Sequence, residues 1–180
     1  MRTQVCIIGA GPAGLMAAIS SAEAGARTLV VEANTTPGRK LLMTGAGRCN
    51  LTHQASPQEL VRAFGAKGKF LSYALYRFSP QDAQDFFAKL GLRLKAEEDG
   101  CVFTATGRAS DVRDTLVGHA RALGVQFLYG SPVVGISREA GSFVVGAGQE
   151  RIQADKLIVA TGGLSWPQTG CTGDGYRFAE

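Results

Sequence analysis

The apolar positions of the chain fall into short clusters separated by glycine and polar turns. Val5 to Ile8 is a β-branched run that reads as a buried strand. Leu15, Met16, Ala18, Ile19 and Ala22 then recur at helical spacing, and Gly25 supplies the stop. Thr28 to Val31 is the next strand, with Glu32 at its C-terminal end, so the spacing predicts a βαβ unit of about 30 residues. From Asn34 to Asn50 the chain is broken by Pro37, Gly38, Gly45 and Gly47, which predicts loops with one helical turn.

Ser56 followed by Pro57 predicts an N-cap and a helix to Phe64. A second helix is expected from Phe70 to Tyr76. A third opens at Ser79-Pro80, carries Phe86, Phe87 and Leu90 as core, and stops at Gly91. Leu92 to Leu94 and Cys101 to Phe103 read as a hairpin around Glu98-Asp99-Gly100. Ser110-Asp111 reads as the cap of a helix through Leu123. Short strands follow at Val125 to Tyr129, Val133 to Ser137, Phe143 to Val145 and Arg151 to Gln153, with a separate buried strand at Leu157 to Ala160. The expected class is α/β, a mostly parallel sheet with a three-stranded β-meander crossover and a helical insertion around residues 56–90.

Composition narrows this little. The 180 residues are 45% hydrophobic and 19% charged, which suits a folded globular chain and excludes disorder or a coiled coil. The net charge of +4 comes without a dense Lys/Arg run, so no nucleic-acid partner is expected. No apolar stretch approaches the ~20 residues of a membrane span, and Gly9, Gly11 and Pro12 interrupt the N-terminal run, against a signal peptide. Cys6, Cys49, Cys101 and Cys171 lie far apart without C-x-x-C. With only His53 and His119 beside them they offer no zinc spacing, so no metal is expected. The thiols read as reduced and the location as cytoplasmic. His53 reads as an exposed loop residue, His119 as surface, and Cys171 as an inert turn residue. What stands out is 24 glycines, against a typical usage of ~7%, gathered in short motifs where backbone must approach something closely.

Gly9-x-Gly11-x-x-Gly14 follows a strand, opens a helix, and is followed after 18 residues by Glu32. This is the context of a dinucleotide fingerprint. Gly9 makes the tight turn, Gly11 exposes backbone to a pyrophosphate, and Gly14 lets the helix pack on the strand. Pro12 and Ala13, inside the motif, belong to the same contact set. The helix N-terminus favours the pyrophosphate, and Glu32 can accept from ribose hydroxyls while repelling a 2′-phosphate. At this point both FAD and NAD fit. Gly38-Arg39-Lys40 through Gly45-Ala46-Gly47-Arg48-Cys49-Asn50 adds glycines and cations, of which Arg39 and Lys40 could hold phosphates or polarise a flavin ring. Leu157 to Gly163 is a strand ending in a glycine turn, where α/β sheets place ligands.

Together, IIGAGPAGL, the acid, GRKLLMTGAGRCNLT and ATGGLSWPQTGCTGDGY resemble the bacterial BaiN/YhiN-type flavoproteins, NAD(P)/FAD-dependent oxidoreductases, from Val5 to Tyr176. The resemblance implies a Rossmann-like, glutathione-reductase-like FAD-binding domain. It implies that Gly9, Gly11, Gly14, Glu32, Arg39 and Lys40 contact FAD, and that Thr44, Gly45, Gly47, Arg48, Cys49 and Asn50 lie along the flavin. Val134 would reach the adenine through its backbone, and Thr161 and Gly162 would flank the dinucleotide. NADH or NADPH would be the reductant of a small-molecule acceptor that the sequence does not name. No general acid or base is assigned, so the catalytic residues stay unknown. Cys49, lacking a close partner, reads as a packing or ring-lining residue. An NAD-binding dehydrogenase domain and a non-catalytic FAD-binding module are the alternatives. Ala46 and His53 stand where the family often has Gly and Asn, and a positive φ at Ala46 would strain the loop. Family members are roughly twice as long. The 180 residues are therefore expected to be the N-terminal part of an FAD-binding domain, lacking its C-terminal completion and substrate domain, and not active alone.

Overall fold

The structure is a computed structural model that describes residues 1–180. The chain divides into two compact units, Met1–Leu41 with Leu116–Glu180, and Leu42–Thr115.

In the first unit, β1 (Arg2–Ile8), α1 (Pro12–Glu23) and β2 (Thr28–Val31) form the expected βαβ unit. The strands β6 (Gln126–Leu128), β7 (Val133–Glu139), β8 (Ser142–Ala147) and β9 (Glu150–Val159) complete a six-stranded sheet in the order β6-β2-β1-β9-β8-β7. The ladders β6–β2, β2–β1 and β1–β9 are parallel, and β9–β8–β7 is an antiparallel meander. Arg151–Gln153 and Leu157–Ala160 are therefore not two strands, contrary to expectation. Asp155 and Lys156 suggest a break, yet they sit within one strand that changes partners along its length, pairing with β8 up to Ala154 and with β1 up to Val159. Cys6, Ile8, Leu29 and Val31 share one face with Val145, Ala147, Ile152 and Ala154 from the meander. The alternate residues Ile7 and Val30 are also buried, and α1 packs on these strands through Leu15, Ala18 and Ile19. Burying each such Leu, Ile or Val side chain contributes roughly 1.5–3 kcal/mol.

The second unit holds α3 (Pro57–Ala63), α4 (Gly68–Arg77) and α5 (Pro80–Lys89), the helices of the insertion. Between Arg39 and Met43 runs one short helix, α2, the single helical turn expected there. Ser56 and Ser79 each close a reciprocal capping box, with Glu59 and Asp82 respectively. The unit also carries an antiparallel sheet ordered β3 (Thr52–His53), β5 (Cys101–Thr104), β4 (Leu94–Ala96). His53 thus lies on a strand rather than a loop, with its Nε2 2.7 Å from the Asp99 carbonyl oxygen. The helix α6 (Ala109–Ala122) starts before its expected cap. Asp111 sits in its first turn and accepts from the Thr106 hydroxyl instead of capping. A last short helix, α7 (Asp174–Arg177), belongs to the first unit. No helix is long and apolar enough to cross a membrane.

Candidate functional site

Ile8 is in register with Val31 on one side and Val159 on the other, so three parallel strands end together. Beyond these ends the first unit holds a cavity of about 240 Å³. It opens where the strand order reverses around β1, the place where α/β sheets hold ligands.

The fingerprint glycines have three different structural reasons. Gly9 turns the chain at φ +104, and a Cβ there would stand 2.5 Å from the Ala160 carbonyl oxygen. Ala160 is held at that distance because its N–H donates to the Ile8 carbonyl at 2.8 Å. Gly14 does not line the cavity. It lets α1 press against the Gly9 carbonyl, leaving no room for a Cβ. Gly11 differs from both. Its φ is −76, open to any residue, and nothing lies within 4 Å of where its Cβ would be. The protein itself gives no reason for glycine at Gly11, and the bare backbone faces the cavity. Pro12 and Ala13 line it too, at the start of a helix with no side-chain cap and no acid in its first turn. The positive end of α1 therefore borders the cavity without a side-chain cap.

Glu32 is buried in the cavity wall. Its Oε2 accepts from the Ala10 N–H at 2.7 Å, and its Oε1 from the Asn34 N–H at 2.9 Å and Nδ2 at 2.7 Å. Arg39 and Lys40 line the same space: Arg39 donates to Asn34 Oδ1 at 2.8 Å, and Lys40 Nζ to the Ser165 carbonyl at 2.6 Å. Thr161 and Gly162 form the wall after β9.

Val134 is not in the wall; Ser131, Pro132 and Val133 are. The ladder with β8 slips between Val133 and Gly135, and the Val134 side chain turns outward, 73% exposed. The contact expected of Val134 is through its backbone, on which that outward side chain has no bearing, whereas sequence reasoning missed Asn34 and the Thr169–Cys171 turn with Asp174 and Phe178. The polar residue two places after the strand-end acid was the available signal for Asn34. The turn joins the site by chain return, which leaves no local pattern.

Thr44, Gly45, Gly47, Arg48, Cys49 and Asn50 belong to the second unit. Gly45, Ala46 and Gly47 are all left-handed, at φ 56, 54 and 86, and so is Cys49 at φ 57. The Arg48 guanidinium lies 4.1 Å from the centre of the Phe103 ring and pairs with Glu97 at 2.7 Å. Asn50 donates to Cys101 Sγ at 3.3 Å. Cys49 is buried, which pushes its thiol up, opposed by a hydrogen bond from Thr44.

The HI0933-like protein Rossmann domain family matches residues 3–180. A ribosomal RNA dihydrouridine synthase of Escherichia coli (strain K12) is 33% identical over 99% of this chain and 44% of its own length. A 3-dehydro-bile acid delta(4,6)-reductase of Clostridium scindens is 33% identical over 98% of this chain and 43% of its own. The chain thus spans less than half the length of these curated relatives. Among solved structures, a 3-ketosteroid-delta4-(5alpha)-dehydrogenase from Rhodococcus jostii shares the fold with a TM-score of 0.67 at 18% identity, over 89% of this chain and 46% of that one.

Proposed function

This chain belongs to the HI0933-like protein Rossmann domain family, and from that membership we propose that its cavity binds FAD, in a protein that moves hydride from NADH or NADPH to a small-molecule acceptor. The observation that carries the reading is Gly11: its φ and its surroundings leave the glycine unexplained by the protein itself, and a diphosphate against its backbone would explain it. A diphosphate lying against that backbone would meet the free N–H groups and positive end of α1.

The remaining wall suits the rest of such a ligand. Glu32 still has acceptor capacity after its three hydrogen bonds, since a carboxylate offers about four acceptor sites, and it is placed to receive ribose hydroxyls. Arg39 and Lys40 offset the diphosphate charge. When bound, FAD supplies the hydride chemistry, and the chain supplies its position and electrostatic surroundings. The names of the two curated relatives, a reductase and a dihydrouridine synthase, support reduction as the direction of the reaction. Four unpaired cysteines are in keeping with a reducing, cytoplasmic location.

The test is the cofactor released on denaturing the purified protein, with Gly11→Val beside it. FAD is expected from the unsubstituted protein and none from the variant. The variant should fold within about 1 kcal/mol of native stability, because its side chain enters open space. Released NAD would favour a dehydrogenase domain instead. FAD that neither NADH nor NADPH reduces would leave a binding module. Hydride delivery to ribosomal RNA and not to a small molecule would replace the acceptor class.

A further inference from the structure

We propose that Asn34 is the positioning residue of this cavity: it fixes the Glu32 carboxylate in the orientation that receives the ribose, and so sets the affinity for the adenosine end of the ligand. The inference rests on the FAD reading above.

Both donors of Asn34 converge on one oxygen. Its N–H and its side-chain Nδ2 meet Glu32 Oε1 at 2.9 and 2.7 Å, while Ala10 N–H holds Oε2 at 2.7 Å. Each carboxylate oxygen carries two lone pairs, so Oε1 is filled and the remaining capacity lies on Oε2. The Asn34 amide is itself held. Its Oδ1 accepts from Arg39, which admits only one orientation of the amide, oxygen to the guanidinium and nitrogen to the carboxylate. Its backbone carbonyl accepts from Gly130 N–H at 2.9 Å. The side chain also needs room, and Gly170 provides it: a Cβ on Gly170 would stand 2.7 Å from Asn34 Nδ2.

Removing the amide therefore has two effects on Glu32. The carboxylate gains a rotamer choice that binding must then freeze, and Arg39 loses its neutral acceptor and becomes available to the carboxylate. Asn34→Asp keeps the shape, removes the donor, and places a like charge against Glu32.

The experiment measures FAD and ADP affinity by calorimetry for the purified protein and for N34A, N34D, E32A and E32A/N34A, with each unfolding midpoint taken without ligand. ADP keeps the adenosine ribose and lacks the flavin. N34A should bind both about three- to ten-fold more weakly, and N34D more weakly still. E32A/N34A should bind as E32A does, because a residue acting through Glu32 has nothing left to position. A structural role would instead add its loss to that of E32A. Native affinity in N34D, additivity in the double variant, or loss of FAD without loss of ADP would each overturn the proposal. So would failure of N34A and the isosteric N34D alike to fold, which would make Asn34 a structural residue. Failure of the unsubstituted protein to bind FAD would sink the FAD reading itself, a result distinguishable from all of these.

Discussion

The carbonyl oxygen of Gly9 occupies the place where a side chain on Gly14 would begin. The Ala160 side chain stands behind it, 3.4 Å from the same point. Neither a main-chain carbonyl nor a strand end can swing aside, so Gly14→Ala must lift α1 from β1. Overpacking of this kind costs about 1–3 kcal/mol and occasionally more, and the rigid obstacle puts this case near 3. Urea unfolding of Gly14→Ala should show that loss, while Gly11→Ala stays near the native midpoint. Equal midpoints for the two variants would contradict the close approach.

Ala46 sits at φ 54 and ψ 41 between two left-handed glycines. The left-handed conformation costs a side-chain-bearing residue roughly 1–2 kcal/mol, and glycine's extra unfolded-state freedom returns roughly 0.5–1 kcal/mol of that. Ala46→Gly should therefore stabilise the protein by about 0.5–1 kcal/mol, read as a higher thermal midpoint. A lower midpoint would mean that the loop relaxes away from this geometry in solution.

The four thiols should separate by reactivity. Burial pushes the Cys6 thiol up to about 11 and raises that of Cys49. Asp99 raises Cys101 mainly by hydrogen bonding, with the thiol otherwise accessible. A maleimide at pH 8, followed by mass mapping, should label Cys171 and then Cys101 in the folded protein, and Cys6 and Cys49 only after denaturation. Labelling of Cys49 as fast as Cys171 would contradict its burial.

Acid should weaken the insertion helices. Hydrogen bonds from the Ser56 and Ser79 caps lower the Glu59 and Asp82 carboxyls below their ordinary values of 4.5 and 3.8. Groups with folded values below their unfolded ones contribute stability that is present above the unfolded value and lost as pH falls through the folded one. Stability should thus fall as pH drops below about 4.5, and in Ser56→Ala/Ser79→Ala the fall should be shallower. An unchanged acid slope in that variant would show that the serine hydroxyls do not lower the two carboxyls.

Much of the βαβ unit is legible because its signals are local. β2 runs from Thr28 to Val31, as its β-branched run and flanking residues indicate, and α3 and α5 begin where Ser-Pro pairs say they should. β9 is not legible as one strand, because the exposed Asp155 and Lys156 interrupt its apolar run where the strand passes from β8 on to β1 alone. The two-residue strand β3 has no period to read at all. The cavity divides in the same way. Gly9, Gly11 and Glu32 announce themselves within 24 residues, whereas Val133 lies in the wall beside a slipped ladder, and Thr169 joins the wall from far along the chain.

The pairing of Ile8 with Val159 also has a consequence in time. A ribosome making about 5–20 residues per second takes roughly 8–30 s to travel from one to the other. During that interval β1 and β2 can form a pair under α1, but the other edge of β1, carrying Cys6, Ile7 and Ile8, is bare and open to other nascent chains. The arrival of β9 closes that edge and, through Ala160, builds the floor beneath Gly9 in the same step. Protection of the β1 edge and completion of the cavity wall beneath Gly9 thus come in one step, and a chaperone that shields the first strand until β9 emerges would raise the yield of folded protein.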